Sequence, residues 1–385
     1  MSRHFQVGPD SLTLLQNGME FFPALCADID AAQHTVHLET YIFAADTTGR
    51  HVSLALQQAA QRQVAVRLLI DGFGSADLPE TWVEELRNAG VEVLWFRRER
   101  GFFPMRRYRW RRMHRKLAVI DGETAYVGGI NIIDDIPEDE GFDAPRLDYA
   151  VRVQGPLVHD VREAMRHLWS GVRWASMRKR IGRLRGQLRR RKAPDGDAAA
   201  TLLLRDNVRH RHEIEAAYLH AINLARHEIV LAHAYFLPGR RMRRALKRAA
   251  RRGVRVVLLV QGRVEYRFQY YATQYLYGRM LADGVEIHEY RASFMHAKAC
   301  VVDGTWATLG SSNLDPLSLW MAREANLAVR DSAFAGSLRD NVMYAVQHQS
   351  EKVLRPPSHL VSIFLSRLSY GVIRLLVGLL VRQRH

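Results

Sequence analysis

The chain has 385 residues, too many for one ordinary core, so two domains or two halves of one are expected. Hydrophobic residues make up 48% and charged residues 25%, which excludes disordered and collagen-like classes. A formal net charge of +16 calls for a polyanionic partner: nucleic acid, an anionic membrane surface or a phosphorylated substrate.

In chain order, the opening MSRHFQVGPD lacks the apolar segment of a signal peptide, and no run of about 18 uncharged apolar residues predicts a spanning helix. A helix-like segment leads into a strand ending at an aromatic, HTVHLETYIF (34–43). A basic helix and a buried strand follow in LQQAAQRQVAVRLLIDG (56–72), then a third strand in NAGVEVLWF (88–96). RRERGFFPMRRYRWRRMHRK (97–116) interleaves arginines with aromatics, and MHRKLAVIDG (113–122) closes the series. The series then returns as HEIVLAHAYF (227–236), LKRAARRGVRVVLLVQG (246–262), ADGVEIHEY (282–290) and MHAKACVVDG (295–304). This α-β-α-β-α-β-β order, used twice, predicts an α/β fold of two pseudo-symmetric lobes with mostly parallel or mixed sheets. Two long units make a duplication rather than a solenoid.

The expected division is a first lobe at 1–175, a basic linker at 176–199, a second lobe at 200–350 and a C-terminal segment at 351–385. In that last segment, HLVSIFLSRLSYGVIRLLVGLLVRQRH (359–385) puts Arg367 and Arg374 on one helical face near Ser366, Tyr370 and Gly371. The remainder is Leu, Ile, Val and Phe. The pattern fits an amphipathic helix, lying in a membrane interface or capping the core. Cys26 and Cys300 are far apart, so no disulfide framework or zinc spacing exists, and this usage fits a reducing compartment.

The paired stretches carry the chemistry. His114, Lys116, Asp121 and Asn131 stand at offsets of two, seven and seventeen, and His296, Lys298, Asp303 and Asn313 repeat all three. Side chains two apart on a strand face one way, so each His projects with its Lys. Asp-Gly then signals a hairpin, and the return strand brings small residues and Asn131 or Asn313 back beside them. An imidazole, an ammonium, an amide and close backbone make a site for a phosphoryl group.

Strand length would put Asp121 roughly 23 Å from His114, so on the residues alone Asp121 and Asp303 belong to the turns. Asp148 in RLDYAVR and Glu324 in REANLAVR are the candidates to orient the imidazoles through Nδ1. Two equivalent histidines imply one shared site at the lobe interface. One attacks phosphorus to form a phosphohistidine; the other protonates the leaving oxygen and then deprotonates the incoming hydroxyl. The lysines and asparagines hold the non-bridging oxygens. This chemistry calls for no metal and no cofactor.

HRKLAVID with GGIN, and HAKACVVD with GSSN, resemble the paired HxKxxxxD motifs of the phospholipase D superfamily. The resemblance spans the chain to about residue 350. LETYIF, DGFGS, RRMHRK, HAYFLPG and GSSNLDPLSL look most like bacterial cardiolipin synthases of the shorter B type. It implies a two-lobed α/β fold and phosphatidyl transfer: one phosphatidylglycerol gives its phosphatidyl group to a second lipid, releasing glycerol. It favours His114 as the nucleophile and counts Asp121 and Asp303 with His114, Lys116, His296 and Lys298 in the catalytic set. One departure is Gln261-Gly262, where the first half has Asp71-Gly72.

The basic charge then has a partner. The segment 97–116 suits anionic headgroups with aromatics at the interface, and equally suits single-stranded nucleic acid. The apolar tail favours lipid, with no nucleic acid expected. The expected setting is peripheral, on the cytoplasmic face of a bacterial inner membrane. The alternatives are a phospholipase D-type phosphodiesterase hydrolysing phospholipid or nucleic acid, and a basic scaffold without turnover.

Overall fold

Each copy of the repeat builds its own sheet. The computed structural model describes residues 3–98, 111–136, 144–178, 198–206, 210–264, 267–315, 322–355, 363–372 and 375. The first half runs β1 (His4–Val7), β2 (Asp10–Gln16), α1 (Asn17–Ala31), β3 (Thr35–Thr40), α2 (Thr47–Gln61), β4 (Ala65–Asp71), α3 (Glu80–Asn88) and β5 (Glu92–Phe96). It continues with β6 (Arg112–Met113), β7 (Lys116–Ile120), β8 (Thr124–Gly128), β9 (Tyr149–Gln154) and α4 (Leu157–Arg178). The second half runs β10 (Ala200–Arg205), α5 (Glu213–Leu224), β11 (Glu228–His233), α6 (Arg240–Arg251), β12 (Arg255–Gln261), α7 (Arg267–Ala282) and β13 (Val285–Tyr290). It ends with β14 (Lys298–Val302), β15 (Trp306–Gly310), β16 (Ala322–Arg330), α8 (Ser332–His348) and β17 (Ser350–Lys352).

The first sheet has the order β1-β2-β9-β8-β7-β3-β4-β5; the second has β10-β16-β15-β14-β11-β12-β13-β17, with β6 of the first half joined to β16. Within each sheet only β3-β4-β5 and β11-β12-β13 run parallel, and the short β6 pairs in parallel with β16 across the lobes. The sheets are therefore mixed, the second of the two forms expected, and antiparallel ladders outnumber parallel ones. The cause is local. The βα units end at β5 and β13, and the chain then returns through hairpins, which make antiparallel neighbours.

Helices α1–α3 cover the outer face of the first sheet through one apolar cluster, and α5–α7 cover the second through another. A third cluster joins the lobes, combining Leu117, Val127 and Val151 with Ala299, Leu309 and Leu327. Local sequence explains the helices. Asp46 caps α2 by accepting from the Gly49 amide at 2.8 Å, and Asp331 caps α8 through Phe334 at 2.8 Å. Helix α6 buries Met242, Ala245, Leu246 and Ala249 on one stripe and turns its arginines outward.

Helix α4 reaches Arg178, into the stretch expected as linker, and β17 extends the second sheet past residue 350. Residues 99–110 of the basic aromatic stretch and 179–197 of the linker lie outside the described residues. A helix at 363–372 docks on the second lobe, with Tyr370 stacked on Tyr275 of α7 at 4.3 Å. Its buried side carries Ser366 and Ser369, while Phe364 and Leu368 point outward. No helix among the described residues is long and apolar enough to cross a membrane.

Candidate active site

Strands β7 and β14 are buried along their whole length and start at Lys116 and Lys298. Alternation sends His114 and Lys116 to one side and Arg115 to the other. Arg115 turns inward onto Glu39, with Nε–Oε2 at 2.7 Å and Nη2–Oε1 at 3.0 Å, and donates to the Ala164 carbonyl at 3.0 Å. The second copy has Ala297 at that place, so this buried ion pair belongs to the first lobe.

Backbone bonds across the seam aim the histidines. The His114 amide donates to the Arg323 carbonyl at 2.9 Å, and the His296 amide donates to the Leu147 carbonyl at 2.9 Å. Arg323 and Leu147 each precede a carboxylate. His114 Nδ1 accordingly lies 3.1 Å from Glu324 Oε2, and His296 Nδ1 lies 2.7 Å from Asp148 Oδ2. The carboxylates are exchanged: each lobe orients the imidazole of the other. An Nδ1–H given to a carboxylate leaves the Nε2 lone pair free. The two rings stand 6.5 Å apart, centroid to centroid.

The lysines fold back on their own histidines. Lys116 Nζ donates to the His114 carbonyl at 2.6 Å, and Lys298 Nζ donates to the His296 carbonyl. Tyr41 packs on His114 at 4.8 Å and faces the Lys116 ammonium at 5.3 Å. Asn131 is buried, and its Oδ1 accepts the Ile42 amide at 3.2 Å. Asn313 Oδ1 is buried without a hydrogen-bond partner among the described residues.

The pocket is largely buried and rich in positive charge. Burial, with Lys298 nearby, pulls the Lys116 ammonium down to about 7. Burial lowers both imidazoles; Glu324 partly offsets this at His114, while Lys298 and Lys116 push His296 further down. Burial lifts Asp148 to about 7, against the pull of Lys298. Burial also works to raise Glu324, but His114 and Lys116 outweigh it and hold the carboxyl below its usual range. Two neutral imidazoles beside two lysines suit an incoming phosphoryl anion.

Asp121 and Asp303 lie elsewhere, which corrects their place in the catalytic set. Asp121 accepts the amides of Gln33, His34 and Thr35 at 2.7–2.8 Å. Asp303 accepts those of Arg226, His227 and Glu228 at 2.8–2.9 Å. Each sits at the hairpin end of its strand, with φ of 51° followed by a positive-φ glycine. The two successive left-handed residues turn the chain, and the carboxylate ties that turn to the start of β3 or β11.

Two residues of the site escape sequence reasoning. Ser311 donates from Oγ to Glu324 Oε2 at 2.6 Å. Gly129 holds the equivalent place in the first lobe, where a Cβ would come within 2.4 Å of Asp148 Oδ1. The signal was the GG-against-GS difference between GGIN and GSSN. Its meaning needed the carboxylate in place.

Comparison with known proteins gives this geometry its class. The chain belongs to the phospholipase D-like cardiolipin synthase family: the family model for the cardiolipin synthase, PLD-like domain matches residues 25–169 and 218–344. It is 40% identical over 344 residues to cardiolipin synthase B of Salmonella typhi, covering 89% of this chain and 82% of that protein. It is 40% identical over 333 residues to cardiolipin synthase B of Escherichia coli (strain K12), covering 86% and 79%. Among solved structures, phosphatidylserine synthase of Haemophilus influenzae Rd KW20 superposes with a TM-score of 0.70 at 13% identity, covering 98% of this chain and 96% of that one. Polyphosphate kinase of Porphyromonas gingivalis gives 0.60 at 14% identity, covering 94% and 53%. These two likenesses concern the fold alone.

Proposed function

We propose that the protein is a phosphatidyltransferase that makes cardiolipin from phosphatidylglycerol and releases glycerol. The observation that carries this reading is the crossed pair of imidazole–carboxylate contacts around one seam. It occurs in a chain 40% identical to proteins named cardiolipin synthase B.

His114 is the nucleophile. Its Nε2 attacks the phosphorus of the donor lipid, and the bond from phosphorus to the glycerol oxygen breaks. His296 gives that oxygen a proton from Nε2, so glycerol leaves neutral. His296 then takes the proton of an acceptor hydroxyl. The resulting oxygen attacks phosphorus, the P–N bond breaks, and His114 is regenerated. Lys116, Lys298, Asn131 and Asn313 hold the non-bridging oxygens. Glu324 and Asp148 fix the ring orientations. The ionised Glu324 raises the basicity of the attacking imidazole. The bound phosphodiester supplies negative charge that offsets the lysines, and this lets His296 carry its proton.

The substrate lies in a bilayer, so the protein works as a peripheral protein on the cytoplasmic face of an inner membrane. The helix at 363–372 supports this, because Phe364 is 64% exposed and Leu368 is 51% exposed on its outer side. Purified protein incubated with phosphatidylglycerol vesicles is the test. Mass spectrometry should find cardiolipin and glycerol in equal amounts. Phosphatidic acid alone would make the protein a hydrolase and end the transferase reading.

A further inference from the structure

The second lobe carries a cationic cleft on its outer helical layer, on the face of the sheet away from the inter-lobe core. The cleft has a volume of about 260 Å³ and lies between α6 and α7, lined by Arg240, Arg243, Arg244, Lys247, Arg279 and Asp283. Its one acid is already engaged, because Lys247 binds Asp283. Arg243 donates to the Pro238 carbonyl at 2.7 Å. Arg240, Arg244 and Arg279 have no carboxylate partner among the described residues. Guanidiniums gathered without counter-charge repel one another, and a bound anion relieves that cost. The fold does not require them. Helix α6 meets the core through Met242, Ala245, Leu246 and Ala249, and the corresponding helix of the first lobe, α2, has Arg50 as its one arginine.

A second feature adjoins the first. Tyr275 stands one helical turn before Arg279 on α7 and stacks on Tyr370 at an interplanar angle of 21°. Tyr370 belongs to the helix whose Phe364 and Leu368 face outward. The stack therefore sets the helix that carries Phe364 and Leu368 on α7 one turn from Arg279 of the cleft. That pairing matches the boundary between headgroups and acyl chains. A nucleic acid would use the cations and leave Phe364 and Leu368 without a partner.

We propose that the α6–α7 cleft binds the phosphate of a non-reacting anionic phospholipid and, with the 363–372 helix, seats the second lobe on the bilayer. This rests on the membrane-lipid reading above. A phosphodiester offers the paired oxygens that guanidinium groups grip best. The lipid held here takes no part in bond making.

The test uses the full chain and a variant combining Arg240→Gln, Arg243→Gln, Arg244→Gln and Arg279→Gln. All four lie outside the catalytic seam, and an unchanged melting midpoint confirms folding. Binding is measured to phosphatidylcholine vesicles with and without phosphatidylglycerol, and turnover is measured on phosphatidylglycerol dispersed in detergent. The variant should lose affinity for the anionic vesicles by roughly fivefold per cation removed. Its turnover in detergent should stay at the parent level. Parent-like binding to anionic vesicles would overturn the proposal, and so would lost turnover in detergent. Glycerol 3-phosphate provides the other arm. Calorimetric binding of it that vanishes in the variant while vesicle binding persists would assign the cleft to a soluble phosphoester and overturn the lipid source. A parent that binds vesicles but makes no cardiolipin in detergent would instead defeat the proposed reaction, leaving the cleft result readable.

Discussion

Asp71 and Gln261 perform one task with different side chains. Asp71 Oδ2 accepts the Met113 amide at 2.8 Å, and Gln261 Oε1 accepts the Met295 amide at 2.9 Å. Met113 and Met295 immediately precede His114 and His296. In each lobe a buried oxygen at the end of a parallel strand thus pins the backbone that carries the histidine. What reads in sequence as a departure between the copies retains the acceptor. Gln261→Leu keeps the volume and removes the oxygen, stranding a buried N–H. It should cost about 1–3 kcal/mol of stability. Turnover should fall further than stability explains, because His296 is displaced. Urea denaturation with parallel product assays checks this; an unchanged unfolding midpoint would reject the role.

The exchange of carboxylates makes a sharper test. Asp148→Asn acts on His296, and Glu324→Gln acts on His114, each from the opposite lobe. Both should cut turnover by roughly 10²- to 10⁴-fold while the fold persists. The two should differ in trapping. With His114 as nucleophile, Asp148→Asn still labels from phosphatidylglycerol carrying a good leaving group, which needs no acid. Glu324→Gln labels poorly with the same compound. The opposite pattern would move the nucleophile to His296.

The histidines and lysines were legible because their spacing occurs twice, and because a two-residue offset on a strand has one geometric meaning. Asp148 and Glu324 were legible as carboxylates shortly before an Ala-Val-Arg stretch, Asp148 just ahead of β9 and Glu324 within β16. Their crossing was not. It arises from backbone bonds between His114 and Arg323 and between His296 and Leu147, which join residues roughly 150–210 positions apart and leave no periodic trace. The alternating helices and strands pointed to the parallel trio in each sheet. The antiparallel majority came from the hairpins β7–β8 and β14–β15 that carry the motifs and from β2, β9, β10 and β16 beside them, rather than from the repeating βα units. Ser311 needed Glu324 in place before its hydroxyl had a purpose.

Lys116 should make phosphate binding depend on pH. Burial and then Lys298 disfavour its charge and pull the ammonium down to about 7. A bound anion favours the charge and raises that value. Between about pH 7 and the ordinary lysine range near 10, binding therefore draws in a proton. Affinity for a soluble phosphodiester should fall as pH rises through this window, by at most tenfold per unit. Calorimetry in buffers of different ionisation heat measures the proton taken up. Lys116→Met should abolish the uptake above about pH 8, beyond the proton that His296 gains near neutrality; uptake that survives there would assign it to another group.

The turn aspartates should behave as structural residues. Burial works to raise Asp121 and Asp303, but backbone amides outweigh it and both sit below the usual carboxylate range. A lowered value in the folded state means their contribution is complete above about pH 4, where the unfolded carboxylate is charged. It is lost as pH falls through the folded value. Asp121→Ala and Asp303→Ala should each cost about 1–3 kcal/mol at neutral pH and flatten the acid side of the stability profile. Activity per folded molecule should remain within a few-fold of the parent. A loss as large as that of His114→Ala would return these residues to the chemistry.

The helix at 363–372 presents Ser366 and Ser369 to the protein and Phe364 and Leu368 to the outside, while Tyr370 holds it against α7. Phe364→Ser and Leu368→Ser should then leave thermal stability nearly unchanged, since neither side chain is lost from the interior. Both should weaken sedimentation with vesicles. A fully inserted side chain of this size contributes about 1.5–3 kcal/mol, so the double variant should lose binding by at least tenfold. Tyr370→Ala supplies the contrast. It removes the stack on Tyr275 that holds the helix against α7, so it should lower the melting midpoint as well as vesicle binding. Vesicle binding untouched by Phe364→Ser and Leu368→Ser would show that these side chains face something other than lipid.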